Sequence, residues 1–151
     1  GDRDLARPVG MNIDFYNLLS ILRGKFWGLD EQQITDLLVS STSGAPKDLL
    51  GRMIAAASVK DALNELTSTP YKNLIPEAEN DIDAISEFER AFEMAIYKGA
   101  KSSFTRMFSS ATSVGITILT AFEVRNLSSI AFAVEQKISP EITMSKIIIS
   151  E

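Results

Sequence analysis

The sequence of 151 residues contains no cysteine and no histidine. Disulfide bridges and structural zinc sites built from these residues are therefore excluded. Catalysis by a histidine-dependent triad or by a thiol is excluded for the same reason. The missing cysteines fit a reducing compartment without proving one.

Basic residues are in the minority, with 15 Lys and Arg against 20 Asp and Glu and a formal net charge of −5. Proteins that bind nucleic acid usually carry clustered Lys and Arg, so we expect no nucleic-acid partner. A phosphate-binding loop is also missing. Its nearest approach, Gly44-Ala45-Pro46-Lys47, lacks the first glycine and the Ser or Thr after the lysine. We therefore expect no nucleotide cofactor.

Long apolar runs are missing too. The most apolar stretch, Val114 to Val134, is interrupted by Glu123, Arg125 and Asn126. Its uninterrupted pieces fall well short of the ~20 residues that span a bilayer. The polar start of the chain, Gly1 to Gly10, does not resemble a signal peptide. We therefore predict no transmembrane segment and interpret Val114 to Val134 as a buried helix of a soluble domain.

Apolar residues recur at helical spacing in a globular composition of 45% hydrophobic and 23% charged residues. Two sets each define one helix face: Phe15, Leu18, Leu19, Leu22 and Phe26, and then Ile85, Phe88, Phe92 and Ile96. Strand-like alternation is absent, so the predicted fold class is all-α. The predicted helices are 12–27, 31–39, 46–57, 59–67, 81–108, 113–137 and 140–149. Ile147 to Ile149 is interpreted as a helix end, with a short strand as the alternative.

Polar residues mark the predicted helix starts. Asp30 with Gln33, and Ser58 with Asp61, resemble N-caps with a polar partner three residues later. Ser139 precedes a proline and an acid, which suits a cap followed by the first turn. Pro46 is predicted at the first position of another helix.

Two parts of the sequence resemble each other. The segment Tyr16-Asn17-Leu18-Leu19-Ser20-Ile21 aligns with Arg125-Asn126-Leu127-Ser128-Ser129-Ile130, with Asp14 opposite Glu123. Each block is a long helix, a short joint and a capped second helix, so we expect residues 12–38 and 121–148 to superpose. Asn17 and Asn126 are predicted to bond to backbone; a surface position is the alternative.

Two apolar patterns near the end of the chain indicate packing surfaces. The spacing of Val124, Leu127, Ala131, Val134 and Ile138 suits contact with a neighbouring helix. A second set is predicted to form an exposed patch, with core packing as the alternative: Met107, Phe108, Ile116, Leu119 and Phe122. Trp27 and Tyr71 are interpreted as packing residues.

An acidic run comprises Glu77, Glu79, Asp81, Asp83, Glu87, Glu89 and Glu93. The spacing of Glu79, Asp81 and Asp83 resembles a calcium loop, but Ala84 stands where the loop needs glycine. Acids are also favoured in the first turns of a helix, so we predict a solvated acidic face and no metal site. This face is suited to steering a basic partner. Because pairs of carboxylates can act as general acid and base, an enzyme is an alternative interpretation, although no other catalytic group accompanies them.

Four segments in order resemble the C subunit of the archaeal-type (A/V-type) rotary ATP synthases, which is related to the d subunit of vacuolar ATPases. Asp14 to Asp30 resembles the recurrent helix-joint motif of this family. Ser58 to Leu66, followed by Thr69-Pro70-Tyr71, resembles its next landmark. Glu87 to Phe92 resembles the start of its long helix, and Ser113 to Leu127 resembles its last helix. One departure is that Phe132-Ala133-Val134 stands where the first block has Arg23-Gly24-Lys25.

The resemblance implies an all-α fold of repeated helix-joint-helix units that form part of a pseudo-symmetric helical funnel. Because the family carries the unit three times, the chain looks like a C-terminal part. Residues 1–11 would then be a leader of possible cloning origin. Residues 12–80 would be the remainder of the middle unit, and residues 81–151 would be the final unit.

The resemblance also implies a function. It predicts a non-catalytic central-stalk (rotor) subunit that links the membrane ring to the central shaft and transmits torque for ion-coupled ATP synthesis or hydrolysis. Its partners would be the shaft subunits and the rotor ring, on the cytoplasmic side of the membrane and peripheral to it. No catalytic, cofactor-binding or metal-binding residue is implied, and no small-molecule substrate. The alternative is an unrelated all-helical scaffold or adaptor.

Overall fold

The computed structural model describes residues 3–41, 44–104 and 110–149 of the chain. Within these ranges there are seven α-helices and no strand. They are α1 (Arg3–Phe26), α2 (Glu31–Asp36), α3 (Lys47–Ala55), α4 (Val59–Asn64), α5 (Asp81–Ser103), α6 (Ser110–Glu135) and α7 (Pro140–Lys146). Short 3₁₀ segments cover Glu65–Ser68 and Lys72–Leu74. The predicted all-α fold class is confirmed.

All seven predicted helices are present, but several of their ends were predicted wrongly, among them the start of α1 and the end of α7. α1 begins at Arg3, well before the predicted start at residue 12. At the other end of the chain α7 stops at Lys146, and Ile147 follows with an extended ψ of 138°. Residues Ile147 to Ile149 therefore belong to neither a helix nor a strand, and both interpretations of this segment are wrong.

The predicted caps are present. Asp30 and Gln33 form a reciprocal capping box at the start of α2, with bonds of 2.8 and 3.0 Å. Ser58 Oγ accepts the Asp61 backbone N–H at 3.0 Å at the start of α4. Ser139 caps α7. Pro46 is itself the N-cap residue of α3 and not its first helical residue, because its ψ of 142° is not helical.

The chain divides into two compact units, Val9–Phe92 and Glu93–Glu151 with Gly1–Pro8. In the first unit the predicted helix faces are mostly confirmed. The side chains buried most completely include Leu18, Ile21, Leu22, Met53, Phe88 and Phe92. Phe92 contacts three rings, with centroid distances of 5.3 Å to Phe15, 4.9 Å to Tyr71 and 5.7 Å to Phe88. Phe26, at the end of the predicted face, is exposed.

A glycine lets α1 and α2 approach each other closely. A Cβ added at Gly24 would lie 2.7 Å from Ile34 Cγ1, and Ile34 is itself buried. Real Cβ atoms essentially never approach another atom so closely, so a larger residue here requires the Ile34 side chain or the helices themselves to shift.

We predict that Gly24→Ala lowers the free energy of unfolding by about 1–2 kcal/mol, because overpacking outweighs the better helix propensity of alanine. Gly51 is the matched control: it also lies in a helix, but nothing lies within 4 Å of an added Cβ. Gly51→Ala is therefore expected to stabilise the protein by about 0.5–1 kcal/mol. Urea denaturation of both variants measures the difference, and changes of the same sign would contradict the prediction.

In the second unit α5 and α6 are held by a ring contact and an ion pair. Tyr97 meets Phe122 edge to face, with the centroids 5.6 Å apart. The Arg125 guanidinium lies 4.8 Å above the Phe122 ring and also pairs with the Glu93 carboxylate. Phe122 is therefore buried. Ile147 and Ile148 are buried as well.

α6 is otherwise largely exposed, so the prediction of a buried helix from Val114 to Val134 is wrong. Only 6% of its most apolar window is buried. By length and composition alone, this helix is long and apolar enough to cross a membrane. The prediction of no transmembrane segment rested on Glu123, Arg125 and Asn126, which interrupt the apolar run.

Candidate functional site

The joint that ends α1 has a defined hydrogen-bond pattern. Leu29 N–H donates to the Gly24 carbonyl at 2.9 Å, and Gly28 N–H donates to the Lys25 carbonyl at 3.0 Å. Gly28 has φ +71°, in the left-handed region. These are the two bonds and the conformation of a Schellman motif, which satisfies the last carbonyls of a helix. The joint is therefore a fixed turn.

The joint that ends α6 has the same pattern. Ile138 N–H donates to the Ala133 carbonyl at 2.9 Å, and Lys137 N–H donates to the Val134 carbonyl at 3.2 Å. Lys137 has φ 54° and occupies the position that Gly28 holds in the first joint. A residue with a side chain pays about 1–2 kcal/mol for this conformation, which glycine avoids.

Each joint is closed by one asparagine. Asn17 of α1 accepts the Val39 backbone N–H and donates to the Val39 carbonyl, both at 2.9 Å. Asn126 of α6 makes the same pair of bonds to Ile148, at 3.1 and 2.8 Å. We call each arrangement an asparagine clasp. The predicted bonding of both asparagines to backbone is confirmed.

The spacing along the chain from the clasp asparagine to the joint is the same in both copies. α2 lies between the first joint and Val39, and α7 lies between the second joint and Ile148. A clasp ties the chain beyond the second helix back to the first helix. Its two bonds and the Schellman motif fix the second helix at both of its ends. Superposition of residues 12–38 with 121–148 stays a prediction.

Sequence reasoning did not single out Asp14 as a functional or structural centre. Its carboxylate is buried and accepts two hydrogen bonds, from the Ala45 backbone N–H and from the Tyr71 hydroxyl. Tyr71 also packs on Phe92, so its interpretation as a packing residue is confirmed. Glu123, which aligns with Asp14, is exposed. An acid among apolar positions of α1 was the only available signal.

Lys25 closes the end of α3. Its ammonium donates to the carbonyls of Ile54, at 2.6 Å, and Ala56. Carbonyls in the last turn of a helix lack intrahelical partners, and a lysine near them satisfies them. Burial lowers the pKa of Lys25 from its ordinary value, and the nearby charges of Glu31 and Asp61 oppose that change.

Only part of the acidic run is exposed to solvent, and two of its members form ion pairs. Its exposed members are Glu77, Glu79, Asp81, Asp83 and Glu87. Glu89 pairs with Arg23 at 2.8 Å, and Glu93 pairs with Arg125. Asn80 Oδ1 accepts the Asp83 N–H at 2.9 Å as a helix cap. Across residues 3–41, 44–104 and 110–149, no three acids are grouped so that they could hold a metal ion.

The exposed apolar surface of α6 includes Ile116 but lies mostly at residues other than those predicted from the sequence to form a patch. Of the predicted patch, Ile116 is 50% exposed, Leu119 is half-buried and Phe122 is buried. Met107 and Phe108 lie outside the described residues. The predicted helix-packing seam is instead open, because Val124, Leu127 and Val134 are 58%, 59% and 73% exposed.

Trp27 is 66% exposed, so its interpretation as a packing residue is wrong. It lies directly after α1, in the first joint, where the chain turns away from the buried face. The described residues thus offer two kinds of candidate site, the clasped joints and the exposed face of α6.

The model of the family described as ATP synthase (C/AC39) subunit matches residues 1–146. The chain belongs to this family. This C/AC39-family chain is 27% identical over 145 residues to the C subunit of the A-type ATP synthase of Methanocaldococcus jannaschii, covering 93% of the chain and 36% of that protein. It is 31% identical over 144 residues to the corresponding A-type ATP synthase protein of Thermococcus kodakarensis, covering 91% of the chain and 37% of that protein.

The resemblance to the C subunit of A-type ATP synthases is therefore confirmed, and the alternative of an unrelated scaffold is wrong. The C/AC39-family chain spans about a third of the length of these relatives, 36% and 37%. No solved structure matches it significantly. Membership in the family assigns no individual residue a catalytic or binding role.

Proposed function

We propose that the chain is a non-catalytic central-stalk component of an A-type ATP synthase. In this role it links the membrane rotor ring to the central shaft and transmits torque for ion-coupled ATP synthesis or hydrolysis. The observation that carries the proposal is the family match over residues 1–146, together with relatives named as the C subunit of A-type ATP synthases.

The clasped joints support a mechanical role. A part that transmits torque must resist bending where its helices meet. Here each joint combines a Schellman motif with an asparagine clasp, so the second helix is fixed by hydrogen bonds at both ends. A non-catalytic role agrees with the sequence, which offers neither a histidine base nor a cysteine nucleophile.

We further propose a peripheral position on the cytoplasmic side of the membrane. α6 has the length of a span, but Arg125 pairs with Glu93 and Asn126 is clasped to Ile148. Inserting α6 would break these contacts. It would also place Glu123 and Arg125 within hydrocarbon, at about 2.5–3.5 kcal/mol each near the bilayer centre.

The exposed acids before and within α5 are suited to a basic partner, which we propose is the central shaft. Their attraction acts mainly during encounter and weakens as salt screens it. Glu87 is an informative member because it is exposed on α5 and lies away from the helix start, where acids also serve the helix dipole.

A pull-down of the chain with purified shaft subunits and rotor rings tests the proposal at about 50 and 500 mM salt, a range over which the Debye length falls several-fold. We expect binding to the shaft that weakens at high salt. Glu87→Lys should weaken it about threefold to tenfold at low salt. Asp36→Lys, an equal charge change at an exposed position of α2, is the control and should bind like the unaltered chain. A folded chain that binds neither partner contradicts the proposal.

A further inference from the structure

The two capped helices, α2 and α7, are held unequally by their long helices. Ile34 of α2 is buried and lies directly against Gly24 of α1. In the second block the aligned residues are Thr143 of α7 and Ala133 of α6. Thr143 is only half-buried, and no side chain of α7, all of whose residues the structure describes, is buried. α7 therefore lacks the side chain that locks α2 to its long helix.

A cleft of about 380 Å³ lies between α6 and α7. Its lining includes Phe132 and Ala133 of α6 and Ile142 and Thr143 of α7. Phe132 and Ile142 are largely exposed, whereas Ala133 is buried. Closely packed helices leave little such space, because the side chains of one helix fill the grooves of the other. α7 thus covers this side of α6 without being packed into it.

The chain on the two sides of α7 is held differently. Before the helix, Lys137 has the left-handed φ of 54° that the first joint gives to Gly28, so the second joint is strained where the first is not. After the helix, Ile147 and Ile148 are buried, and Asn126 bonds to both backbone groups of Ile148. α7 is therefore a short helix between a strained joint and an anchored segment.

We propose that α7 is a lid that opens at Lys137 while the chain stays anchored at Ile148. In the open state α7 leaves α6, and the cleft widens at Ala133. Opening relieves the strain at Lys137 and exposes no buried side chain of α7, whereas the equivalent movement of α2 would expose Ile34. Local openings that lose few buried contacts cost much less free energy than global unfolding. The inference does not rest on the proposed function.

Amide hydrogen exchange of the full chain, followed by NMR, compares matched positions in the two helices. The Thr143 N–H donates to the Ser139 carbonyl at 3.1 Å. The aligned Ile34 N–H donates to the Asp30 carbonyl at 3.0 Å. After correction for intrinsic rates, we expect Thr143 to exchange at least about tenfold faster than Ile34, because its amide exchanges through the open lid. Equal protection of these two amides overturns the proposal.

The clasped amide of Ile148 reports on the anchor in the same experiment. Its N–H donates to Asn126 Oδ1 at 3.1 Å and should exchange at least about tenfold more slowly than Thr143. Asn126→Ala should therefore speed the exchange of Ile148 and leave that of Thr143 unchanged. If Thr143 and Ile148 exchange equally fast in the unaltered chain, the whole segment is released together, and the lid with a fixed anchor is overturned.

A change of residue at each joint tests the hinge. Lys137→Gly removes the strain that opening relieves, so the exchange of Thr143 should slow about threefold to tenfold. Gly28→Lys is the matched control, because no described atom lies within 4 Å of an added Cβ. It should speed the exchange of Ile34 by a similar factor and leave Thr143 unchanged. Fraying of α7 from its last turn would leave the joint closed, so a Thr143 amide that does not respond to Lys137→Gly also overturns the proposal.

Discussion

Replacing Phe92 with alanine is expected to lower the free energy of unfolding by about 3–5 kcal/mol. The side chain is fully buried, and its ring contacts Phe15, Tyr71 and Phe88. Truncation removes these contacts and leaves a cavity that the surrounding helices fill only in part. Because domains are stable by only about 5–15 kcal/mol, this loss is a large share of the total. Urea denaturation followed by circular dichroism measures it.

Phe132 on α6 is the matched control. It is 59% exposed, so the same substitution removes few contacts. Phe132→Ala should change the free energy of unfolding by less than about 1 kcal/mol. Equal losses in the two variants would mean that Phe92 is not a centre of the core.

The helices were predictable because their signals are local. Ile85, Phe88, Phe92 and Ile96 repeat at helical spacing, and all four are buried. The capping box of Asp30 likewise needs only a residue three positions later. Signals of this kind do not depend on the rest of the chain, so single residues and their spacing are enough to predict the helices and their caps.

The burial of α6 was not predictable from its apolar character. An apolar helix becomes buried only where neighbours cover it, and the sequence does not reveal how many sides have a neighbour. Phe122 is covered by Tyr97 and Arg125, whereas Leu127 on another side has no comparable cover within the described chain. Trp27 was misjudged for the same reason, because its aromatic ring is large but the joint holds it outward.

Among the candidate sites, too, those with a local sequence signal were predictable and those that depend on distant contacts were not. The asparagine clasps were found because a repeated sequence block drew attention to Asn17 and Asn126. Asp14 was missed because its partners, Ala45 and Tyr71, lie 31 and 57 residues away and come together only in the folded chain. A buried acid with distant partners leaves no spacing pattern in the sequence.

Removing the first clasp should be nearly as damaging as removing a core ring. Asn17→Ala is expected to lower the free energy of unfolding by about 2–3 kcal/mol, because two hydrogen bonds to Val39 are lost inside the protein. Asn126 is half-buried, so water replaces its bonds more easily, and Asn126→Ala should cost about 1 kcal/mol. Urea denaturation of both variants, with exposed Asn73→Ala as the control, measures the ranking.

Asn17→Asp separates the hydrogen bonds from the packing, because the two side chains have almost the same shape. An ionised carboxylate still accepts the Val39 N–H but has no proton for the Val39 carbonyl, so the clasp loses its donor. Burial beside that carbonyl raises the pKa of the introduced carboxyl in the folded state. The penalty is therefore present at neutral pH and shrinks as the pH falls through that raised value, where the protonated acid again donates. We expect the stability gap to the unaltered chain to narrow below about pH 5, since a model carboxyl titrates near 4. A stability difference that does not change with pH would mean that Asn17 stabilises the protein through its packing and not through its hydrogen bonds to Val39.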